Sequence, residues 1–401
     1  MPVRLLTPTF VALATATLVF YVASGIVVTA APLFGGERLG LSKAMVGVAI
    51  AIYSVAALAM RPVVGWSTDR YGRRRALLIG AGLTVVGLLA HVVADNLALF
   101  VAARCILGAG EAFWLVAALS AAADLAPEGR SGESLSFLSL TLYVGLAVGP
   151  WLAEAILAGT GSFAIVWIVT AAIAAASLGL AWLVPETAPP LTAGTAAGAG
   201  AKARTRPRLI HPAGLFPGFV ILLGLSGMAY FLSFVPLYVR TIGLDSAGLP
   251  LAEYGVIVVV LRVAGARLPD RLGAVRLSGS ALAASAAGMV VIAVFGSLPG
   301  LLIGTALFAF GVAFIMPALL SLTVSRVPAD ERGTVVGTAT LFIDVSFGIA
   351  PVVLGAVADA GGYPLGFVVA GAVSAVGCVL LVVGSRQRPR HRPAGAATLG
   401  S

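Results

Sequence analysis

The sequence predicts an all-α integral membrane protein of twelve transmembrane helices, arranged as two pseudo-symmetric six-helix bundles. Three observations support this fold class: an apolar composition, twelve apolar runs of membrane-crossing length, and a charged motif that occurs twice. Of the 401 residues 60% are hydrophobic and only 10% are charged. A soluble domain of this size carries far more charge, so a multi-pass membrane protein is the class that fits.

A helix needs about 20 apolar residues to cross the hydrocarbon of a bilayer. Runs that meet this length lie at 9–34, 44–64, 76–94, 97–121, 134–157, 163–184, 214–239, 251–268, 277–295, 300–325, 334–357 and 364–384. Most Lys and Arg residues between the runs fall on the side of the two termini, whereas the opposite side holds only Arg38, Lys43 and Arg240. Positive charge is retained in the cytoplasm, so both termini are predicted to be cytoplasmic, in the plasma or inner membrane.

The runs divide into an N-terminal half, residues 1–184, and a C-terminal half, residues 213–385. Residues 185–212 between them are rich in Ala, Gly, Pro and Thr, a composition typical of a linker, here cytoplasmic. Residues 386–401 are basic and contain Pro, which predicts a disordered tail at the membrane surface. Cys105 and Cys378 lie inside apolar runs, so we interpret both as packing residues without a disulfide.

A dense charged segment, residues 65–75, separates the second and third runs and must lie at a membrane surface. Its landmarks Arg61, Asp69, Arg70 and Gly72 recur with the same spacing as Arg262, Asp270, Arg271 and Gly273. Such self-similarity over half the chain predicts a duplicated unit. Anchoring by positive charge alone would not require the repeated acid and glycine.

The segment from Gly65 to Arg75 resembles the signature loop between helices 2 and 3 of the major facilitator superfamily, and the resemblance covers essentially the whole chain. It implies two halves that rock about a central cavity. It also implies that Asp69 meets the N-terminal end of the eleventh run and that Arg73 pairs with Asp124, contacts that would close the cytoplasmic side. The second copy has Ala266 in place of Gly65, so we expect an asymmetric latch.

The fourth run carries Arg104, Gly108 and Glu111 on one helical face. A charge inside a span is costly unless it faces a partner or a wet cavity, so this face is predicted to point inward. The R-x-x-x-G core resembles the helix 4 motif of the superfamily, whose Arg is associated with proton transfer in exporters. The alternative is that Arg104 only ties helices together.

Glu111 and Asp344 lie near the middle of the fourth and eleventh runs, one in each half, and are the predicted proton-carrier pair. Each would be neutral toward one compartment and ionised toward the other. With Arg104 beside Glu111, Asp344 is expected to be the freer titrating group. The alternative for either acid is a permanent ion pair or a backbone hydrogen bond. Their context also resembles a bacterial branch loosely called arabinose-efflux-permease-like, which includes drug and metabolite exporters.

The fifth run contains Gly145, Gly149 and Pro150, a small-residue stripe followed by a proline that kinks helices. This resembles the helix 5 motif associated with exporters, although Ala153 and Glu154 replace the paired glycines of the fuller pattern. Helix packing alone is the alternative. Glu154 lies near the outer end of its run, where it is expected to reach interfacial water.

Seven aromatic or flexible apolar residues fall at mid-depth by residue counting and are predicted to line a substrate cavity: Tyr21, Tyr53, Trp114, Tyr143, Met228, Tyr230 and Phe314. As a set they suggest an amphipathic or aromatic-bearing substrate, although any single one is more often a packing residue.

The sequence contains no phosphate-cradling Gly-rich loop, metal-ligand cluster or Ser-His-Asp arrangement, so no cofactor, metal or enzymatic activity is expected. The net charge of +9 does not form a basic stripe typical of nucleic-acid binding. The function predicted is that of a monomeric secondary transporter in the lipid bilayer, which exports a small molecule in exchange for protons by alternating access. The alternative is a proton-linked importer or facilitator of a sugar or small metabolite with the same fold.

Overall fold

The computed structural model describes residues 6–127, 130–187, 210–265, 268–324, 327 and 331–386. Most of the predicted linker (185–212), nearly all of the predicted tail (386–401) and the side chain of Asp270 lie outside the described residues. Throughout the described ranges the regular structure is helical, without strands.

The first half contains six helices. They are α1 (Pro8–Leu33), which continues into a π-helical turn (Phe34–Arg38), α2 (Lys43–Tyr71), α3 (Arg73–Val92), α4 (Leu97–Asp124), α5 (Ser131–Thr160) and α6 (Phe163–Trp182). Three of them begin at an N-cap side chain: Thr7 accepts from Phe10 N, Ser42 from Met45 N and Asn96 from Leu99 N. These short polar side chains satisfy amide groups that the first turn leaves unpaired.

The second half contains α7 (Pro212–Thr241), α8 (Gly248–Ala264), a five-residue helix (Leu268–Leu272), α9 (Ala274–Val294), α10 (Leu298–Val324) and α11 (Arg332–Arg386). The 55-residue α11 is broken at Gly361 and Gly362, where Gly362 has φ of 80°. A side chain would disfavour this backbone conformation. The break divides α11 into a first arm, 332–360, and a second arm, 363–386.

Ten helical segments are long and apolar enough to cross a membrane. Two further crossings follow from the geometry, because α11 supplies one with each arm and α8, with 17 residues, is only slightly shorter than the others. The predicted all-α membrane fold with twelve transmembrane helices is therefore confirmed.

The repeated charged segment is mostly helix rather than loop. In the first half α2 continues to Tyr71, Gly72 alone breaks the chain with φ of 97°, and α3 begins at the next residue. Charged residues mark where a helix leaves the hydrocarbon, but the helix itself can continue beyond that point. For this reason the apolar run at 44–64 underestimates the length of α2. In the second half α8 ends at Ala264 and the corresponding residues form the separate helix Leu268–Leu272.

Buried side chains largely cluster within each half. Two clusters occupy α1–α6, one around Trp114 and one around Trp167, and the third fills α7–α11 with only Leu33 and Val46 from the first half. The aromatic residues pack as pairs, for example Phe20 stacked on Trp114 at 4.3 Å between ring centres. Each half thus has its own apolar interior, which leaves the space between them for a site.

The two halves meet at the outer end, which we define as the end opposite to the start of α1 and the last turn of α11. A Cβ atom on Gly47 of α2 would lie 2.6 Å from the carbonyl carbon of Pro351, and one on Gly355 would lie 2.6 Å from the Lys43 carbonyl oxygen. At the opposite, inner end, a Cβ on Gly65 of α2 would have no atom of the described residues within 4 Å. The structure is therefore closed at the outer end, while at the inner end no described residue packs against Gly65.

Candidate cavity and proton-binding site

A cavity of about 320 Å³ lies between the halves, lined by α1, α2, α3, α4, α5, α7, α8 and the first arm of α11. Most of its wall is apolar, with Val28, Leu107, Leu232 and Phe347 among the lining side chains. The polar side chains of the wall include Tyr21, Tyr53, Arg61, Arg104, Glu111, Tyr143, Ser233, Tyr254 and Asp344. An apolar concavity with a few convergent polar groups is the usual form of a site for a small organic molecule.

Among the described residues, Glu111 of α4 is the acid of the wall without a counter-ion. Tyr21 of α1 donates a hydrogen bond from its hydroxyl to Oε1 at 2.8 Å. The other carboxyl oxygen, Oε2, is buried without a hydrogen-bond partner, and the Tyr53 side chain of α2 lies close enough to interact with the carboxyl group. Among the described residues no Lys or Arg nitrogen lies within 4 Å of Glu111, so this carboxyl group is held by phenols.

Asp344, by contrast, is ion-paired across the halves. Arg61 Nη2 of α2 lies 2.8 Å from Asp344 Oδ2 and donates to Oδ1 at 3.0 Å. The expectation that Asp344 would be the freer titrating group is therefore wrong. The reason is that Arg61, which lies on a different helix, is the cation nearest to Asp344, whereas Arg104 does not reach Glu111.

Arg104 is only 5% exposed and engages α2 instead of an acid. Its Nε donates to the carbonyl oxygen of Ala49 at 3.1 Å, and its guanidinium lies 4.7 Å from the centre of the Tyr53 ring. Tyr53 thus touches Arg104 through its ring and approaches Glu111 through its hydroxyl. Within the described part of the chain, Arg104 has no ion pair.

The second half presents a different partner at the equivalent position. Arg262 and Asp344 each lie 201 positions after Arg61 and Tyr143, respectively. The Arg262 guanidinium lies 4.1 Å from the centre of the Tyr143 ring. The arginine of the first copy, Arg61, therefore forms an ion pair, whereas the arginine of the second copy, Arg262, forms a cation–π contact.

Four of the seven residues predicted to line the cavity do so: Tyr21, Tyr53, Tyr143 and Met228. The structure places the other three inside the halves. Trp114 is 0% exposed and stacks on Phe20, Tyr230 is 0% exposed and donates to the Tyr363 carbonyl at 3.0 Å, and Phe314 is 1% exposed beside Phe310. Residue counting gives the depth of a side chain in the membrane but not the face of the helix on which it lies.

Arg61 is a cavity-lining residue to which the sequence pattern assigned no role of its own. In the sequence it stands out only as a landmark of the repeated segment. Its position eight residues before Asp69, within an apolar stretch of α2 that continues on both sides, was the available signal. Tyr254, Ser233 and Phe347 were also missed, and no pattern in the sequence distinguishes them from packing residues.

At the inner end, Arg73 joins α3 to α4. Its Nε lies 2.9 Å from Asp124 Oδ2, and its Nη1 donates to the Thr68 carbonyl and contacts Asp69 Oδ1 at 3.3 Å. The Asp69 side chain is 78% exposed, so in this conformation it does not cap the start of α11 as predicted. Its ion-pair partner among the described residues is instead Arg73, four positions further along the chain.

Other residues of the repeated segment at the inner end contact side chains close to them. Arg70 stacks on the exposed rings of Trp66 and Tyr71. Glu186 accepts hydrogen bonds from the backbone amides of Arg73 and Arg74 and so caps α3 directly after Gly72. Arg271, in the five-residue helix of the second half, is exposed.

The glycines of the helix 5 motif pack α5 against α1 within the first half. A Cβ on Gly149 would lie 2.5 Å from Gly25 Cα, and one on Gly145 would lie 2.6 Å from the carbonyl carbon of Tyr21. Pro150 follows, buried, inside the continuous α5. The stripe therefore fixes the position of Tyr21, the residue that donates to Glu111.

The outer end is closed by carboxylates of one half at helix starts of the other. Asp359 of α11 accepts from the backbone amides of Lys43 and Ala44 at 2.9 and 2.8 Å, at the start of α2. Glu154 of α5 accepts from Ala247 N at 3.1 Å, just before α8, and Arg240 pairs with it at 3.7 Å. Glu154 is 5% exposed, so the expectation that it reaches interfacial water is wrong. Helix N-termini favour such negative charges.

Arg240 extends this closure by pairing also with Glu37, in the π-helical turn that follows α1. Within the described residues no group of three or more His, Cys, Asp or Glu side chains could hold a metal ion. The polar groups between the halves are thus of two kinds, a set that closes the outer end and a set that lines the cavity.

The chain is similar over most of its length to known membrane transporters. The family model of the Major Facilitator Superfamily matches residues 13–351 and, in a second overlapping match, 245–400. An uncharacterized MFS-type transporter of Salmonella typhimurium is 27% identical over 377 residues, covering 92% of this chain and 94% of its own. One of Burkholderia mallei is 29% identical over 390 residues, covering 95% of this chain and 93% of its own.

Solved structures with the same fold include the nucleoside transporter NupG, with a TM-score of 0.76 at 13% identity over 95% of this chain and 100% of that one. A peptide transporter POT in complex with sulfate has a TM-score of 0.77 at 15% identity over 94% of both chains. The human organic anion transporter MFSD10 has a TM-score of 0.67 at 20% identity over 94% of this chain and 100% of that one. With the family model spanning most of its length, this chain belongs to the Major Facilitator Superfamily and is a multi-pass membrane transporter.

Proposed function

We propose that this transporter exports a small organic molecule in exchange for protons, with Glu111 as the proton-binding group. Glu111 carries the proposal because it combines three properties. It lines the cavity, it lacks a counter-ion among the described residues, and it is held by the hydroxyl of Tyr21. An ionised carboxylate in the middle of a membrane is costly unless it is paired, so a proton or a bound molecule must complete this site.

The surroundings of Glu111 allow the proton and the transported molecule to compete. The charged and titratable groups that face it are Tyr21 of α1, Tyr53 and Arg61 of α2, and Asp344 of α11. Arg61 and Asp344 are committed to each other, which leaves the Glu111 carboxylate to accept either a proton or a hydrogen-bond donor of the solute. Mutually exclusive occupancy of one site by two ligands is the requirement for exchange.

The conformation described here is one of the two states that such a cycle needs. The halves touch at the outer end through Gly47, Asp359 and Glu154, and at the inner end no described residue lies against Gly65. With the cytoplasmic termini that the Lys and Arg distribution favours, this state receives solute from the cytoplasm. In the other state Gly65 and Asp69 would approach α11, and the outer contacts would separate.

The test uses inverted membrane vesicles that contain the full chain and a lumenal pH dye, energised and then challenged with a panel of amphipathic compounds. Export by antiport gives compound-dependent release of lumenal protons. Glu111→Gln should abolish this release, because the amide keeps the hydrogen bond with Tyr21 but cannot take up a proton. Glu253→Gln, a carboxyl group of α8 outside the cavity wall, is the matched control and should retain it.

Proton release that persists in Glu111→Gln would refute the role of Glu111. Compound uptake into right-side-out cells, with proton and solute moving in the same direction, would replace export by the alternative of a proton-linked importer. Solute movement that is insensitive to the pH gradient would indicate a facilitator.

A further inference from the structure

Arg104 differs in its partners from three arginines that connect helices of the chain. Arg61 is paired with Asp344, Arg73 with Asp124, and Arg240 with Glu37 and Glu154. Arg104 is 5% exposed, more deeply buried than any of these, yet the described residues place no carboxylate within 4 Å of it. A buried charge without a counter-ion is strongly disfavoured, so the cavity wall carries an incomplete ion pair.

The contacts of Arg104 orient the guanidinium without neutralising it. The Nε group is used by the Ala49 carbonyl, and the Tyr53 ring covers one face at 4.7 Å. The two Nη groups have no hydrogen-bond partner in the described part of the chain. A planar guanidinium with two free Nη groups matches the geometry of a carboxylate or a similar oxyanion.

We propose that Arg104 binds an anionic group of the transported molecule, so that the solute is an organic anion or zwitterion with an apolar body. The body would lie against the apolar wall between Leu107, Leu232 and Phe347. This inference rests on the proposed function in one respect: Glu111 lies seven residues further along α4, about 10.5 Å in axial rise, and would accept from a donor group at the other end of the same molecule.

The charges on either side of Arg104 favour this assignment over a purely structural role. The acids of the cavity wall are Asp344, which is paired with Arg61, and Glu111, which is held by Tyr21. Neither neutralises Arg104, and Arg262 of α8, stacked on the cavity residue Tyr143, is a second cation without a carboxylate within 4 Å among the described residues. An anionic solute is the ligand that these positive charges attract.

The experiment measures binding of three probes with the same body and different charge, 4-phenylbutyrate, 4-phenylbutyramide and 4-phenylbutylamine, to the purified full chain by calorimetry. The wild type should bind 4-phenylbutyrate at least about tenfold more tightly than the amide, a difference typical of one charge-assisted hydrogen-bonded pair. Arg104→Gln should remove this preference and leave the affinity for the amide within about threefold. Arg104→Lys, which keeps the positive charge but lacks the planar guanidinium, should retain part of the preference for 4-phenylbutyrate over the amide.

Arg262→Gln is the matched control, since it removes an equally stacked cation near the cleft. If it weakens 4-phenylbutyrate binding as much as Arg104→Gln does, the preference comes from the general positive potential and the proposal is wrong. Equal loss of amide and carboxylate binding in both Arg104 variants would also overturn it, because Arg104 would then only support the fold. Sulfate that displaces 4-phenylbutyrate and binds equally well alone would reduce the site to one for an inorganic anion.

The outcomes separate this inference from the proposed function. Glu111→Gln should abolish proton exchange while leaving the preference for 4-phenylbutyrate over its amide in place. Arg104→Gln should remove that preference, whereas Glu253→Gln, outside the cavity wall, should change neither the preference nor proton release. A preference for the carboxylate that is lost in Glu111→Gln and kept in Arg104→Gln would overturn the assignment of the anion to Arg104.

Discussion

Replacing Gly47 by alanine should shift the transporter toward the state that is open at the outer end. A Cβ at this position would overlap the backbone carbonyl of Pro351, lying 2.6 Å from its carbon, whereas ordinary contact begins near 3.4 Å. The first arm of α11 and α2 must then separate, because the carbonyl oxygen of Pro351 would lie closer still and the obstacle is backbone that cannot rotate away. Overpacking of this kind costs about 1–3 kcal/mol. That cost falls only on the conformation described here and changes the ratio of the two states by roughly 5- to 150-fold.

The shift can be measured as a distance between spin labels at Asp95 and Gly296, exposed positions in outer-end loops of the two halves. The labels are introduced in a background that lacks Cys105 and Cys378. In Gly47→Ala the population with the longer distance should increase at the expense of the shorter one. A distance distribution identical to that of the parent chain would show that the outer contact tolerates the methyl group and that the reasoning is wrong.

Gly65→Ala should have the opposite effect to Gly47→Ala on the spin-label distance. A Cβ at Gly65 meets no atom of the described residues within 4 Å in this conformation, so the state closed at the outer end should be unaffected. The resemblance of its segment to the superfamily signature predicts that Gly65 packs closely only when the inner end closes. The variant should therefore shorten the mean distance between the two labels. Equal and parallel shifts in both variants would indicate general loosening rather than a two-state switch.

Three further predictions test the inner and outer contacts. Gly72→Ala should lower the free energy of unfolding by about 1–3 kcal/mol, measured by thermal denaturation, because Gly72 has φ of 97° and its Cβ would overlap the Glu186 carboxylate. Arg61→Ala should destabilise the fold by about 1–2 kcal/mol, less than a fully buried pair because the Arg61 side chain is 37% exposed, and adding Asp344→Asn should recover part of the loss. Asp359→Asn should weaken the cap on α2 by about 0.5–2 kcal/mol and should increase the population with the longer spin-label distance.

The number, order and approximate limits of the helices could be predicted from the sequence because hydrocarbon imposes a length and a polarity on every span. The ends could not be predicted as well. The residues of α2 from Gly65 to Tyr71 are too charged for hydrocarbon but remain helical beyond it, so hydropathy placed the end of this helix seven residues early. The duplication was visible because Asp69 and Asp270 keep their spacing from neighbouring Arg and Gly residues.

The chemistry of the cavity was predicted only where a residue type is rare in membranes. Glu111, Asp344 and Arg104 were found because a charge in an apolar run requires a wet or paired environment. Aromatic residues carry no such signal. Tyr53 and Trp114 are equally compatible with a cavity wall and a packed interior, and only the packing of α4 against its neighbours turned Trp114 away from the cleft. The pairing of Asp344 with Arg61 joins residues 283 positions apart, which a single sequence does not specify.

The two halves present Arg61 and Arg262 at equivalent positions, but within the described residues only Arg61 meets an acid. Protonation of Asp344 would release Arg61 and loosen the tie between α2 and α11, whereas the stacking of Arg262 on Tyr143 does not depend on a proton. Of these two equivalent contacts, the one between α2 and the first arm of α11 is therefore the one that a proton would loosen. On the α4 side of the cavity, Glu111 and Arg104 remain the groups that we propose for the exchanged proton and the solute.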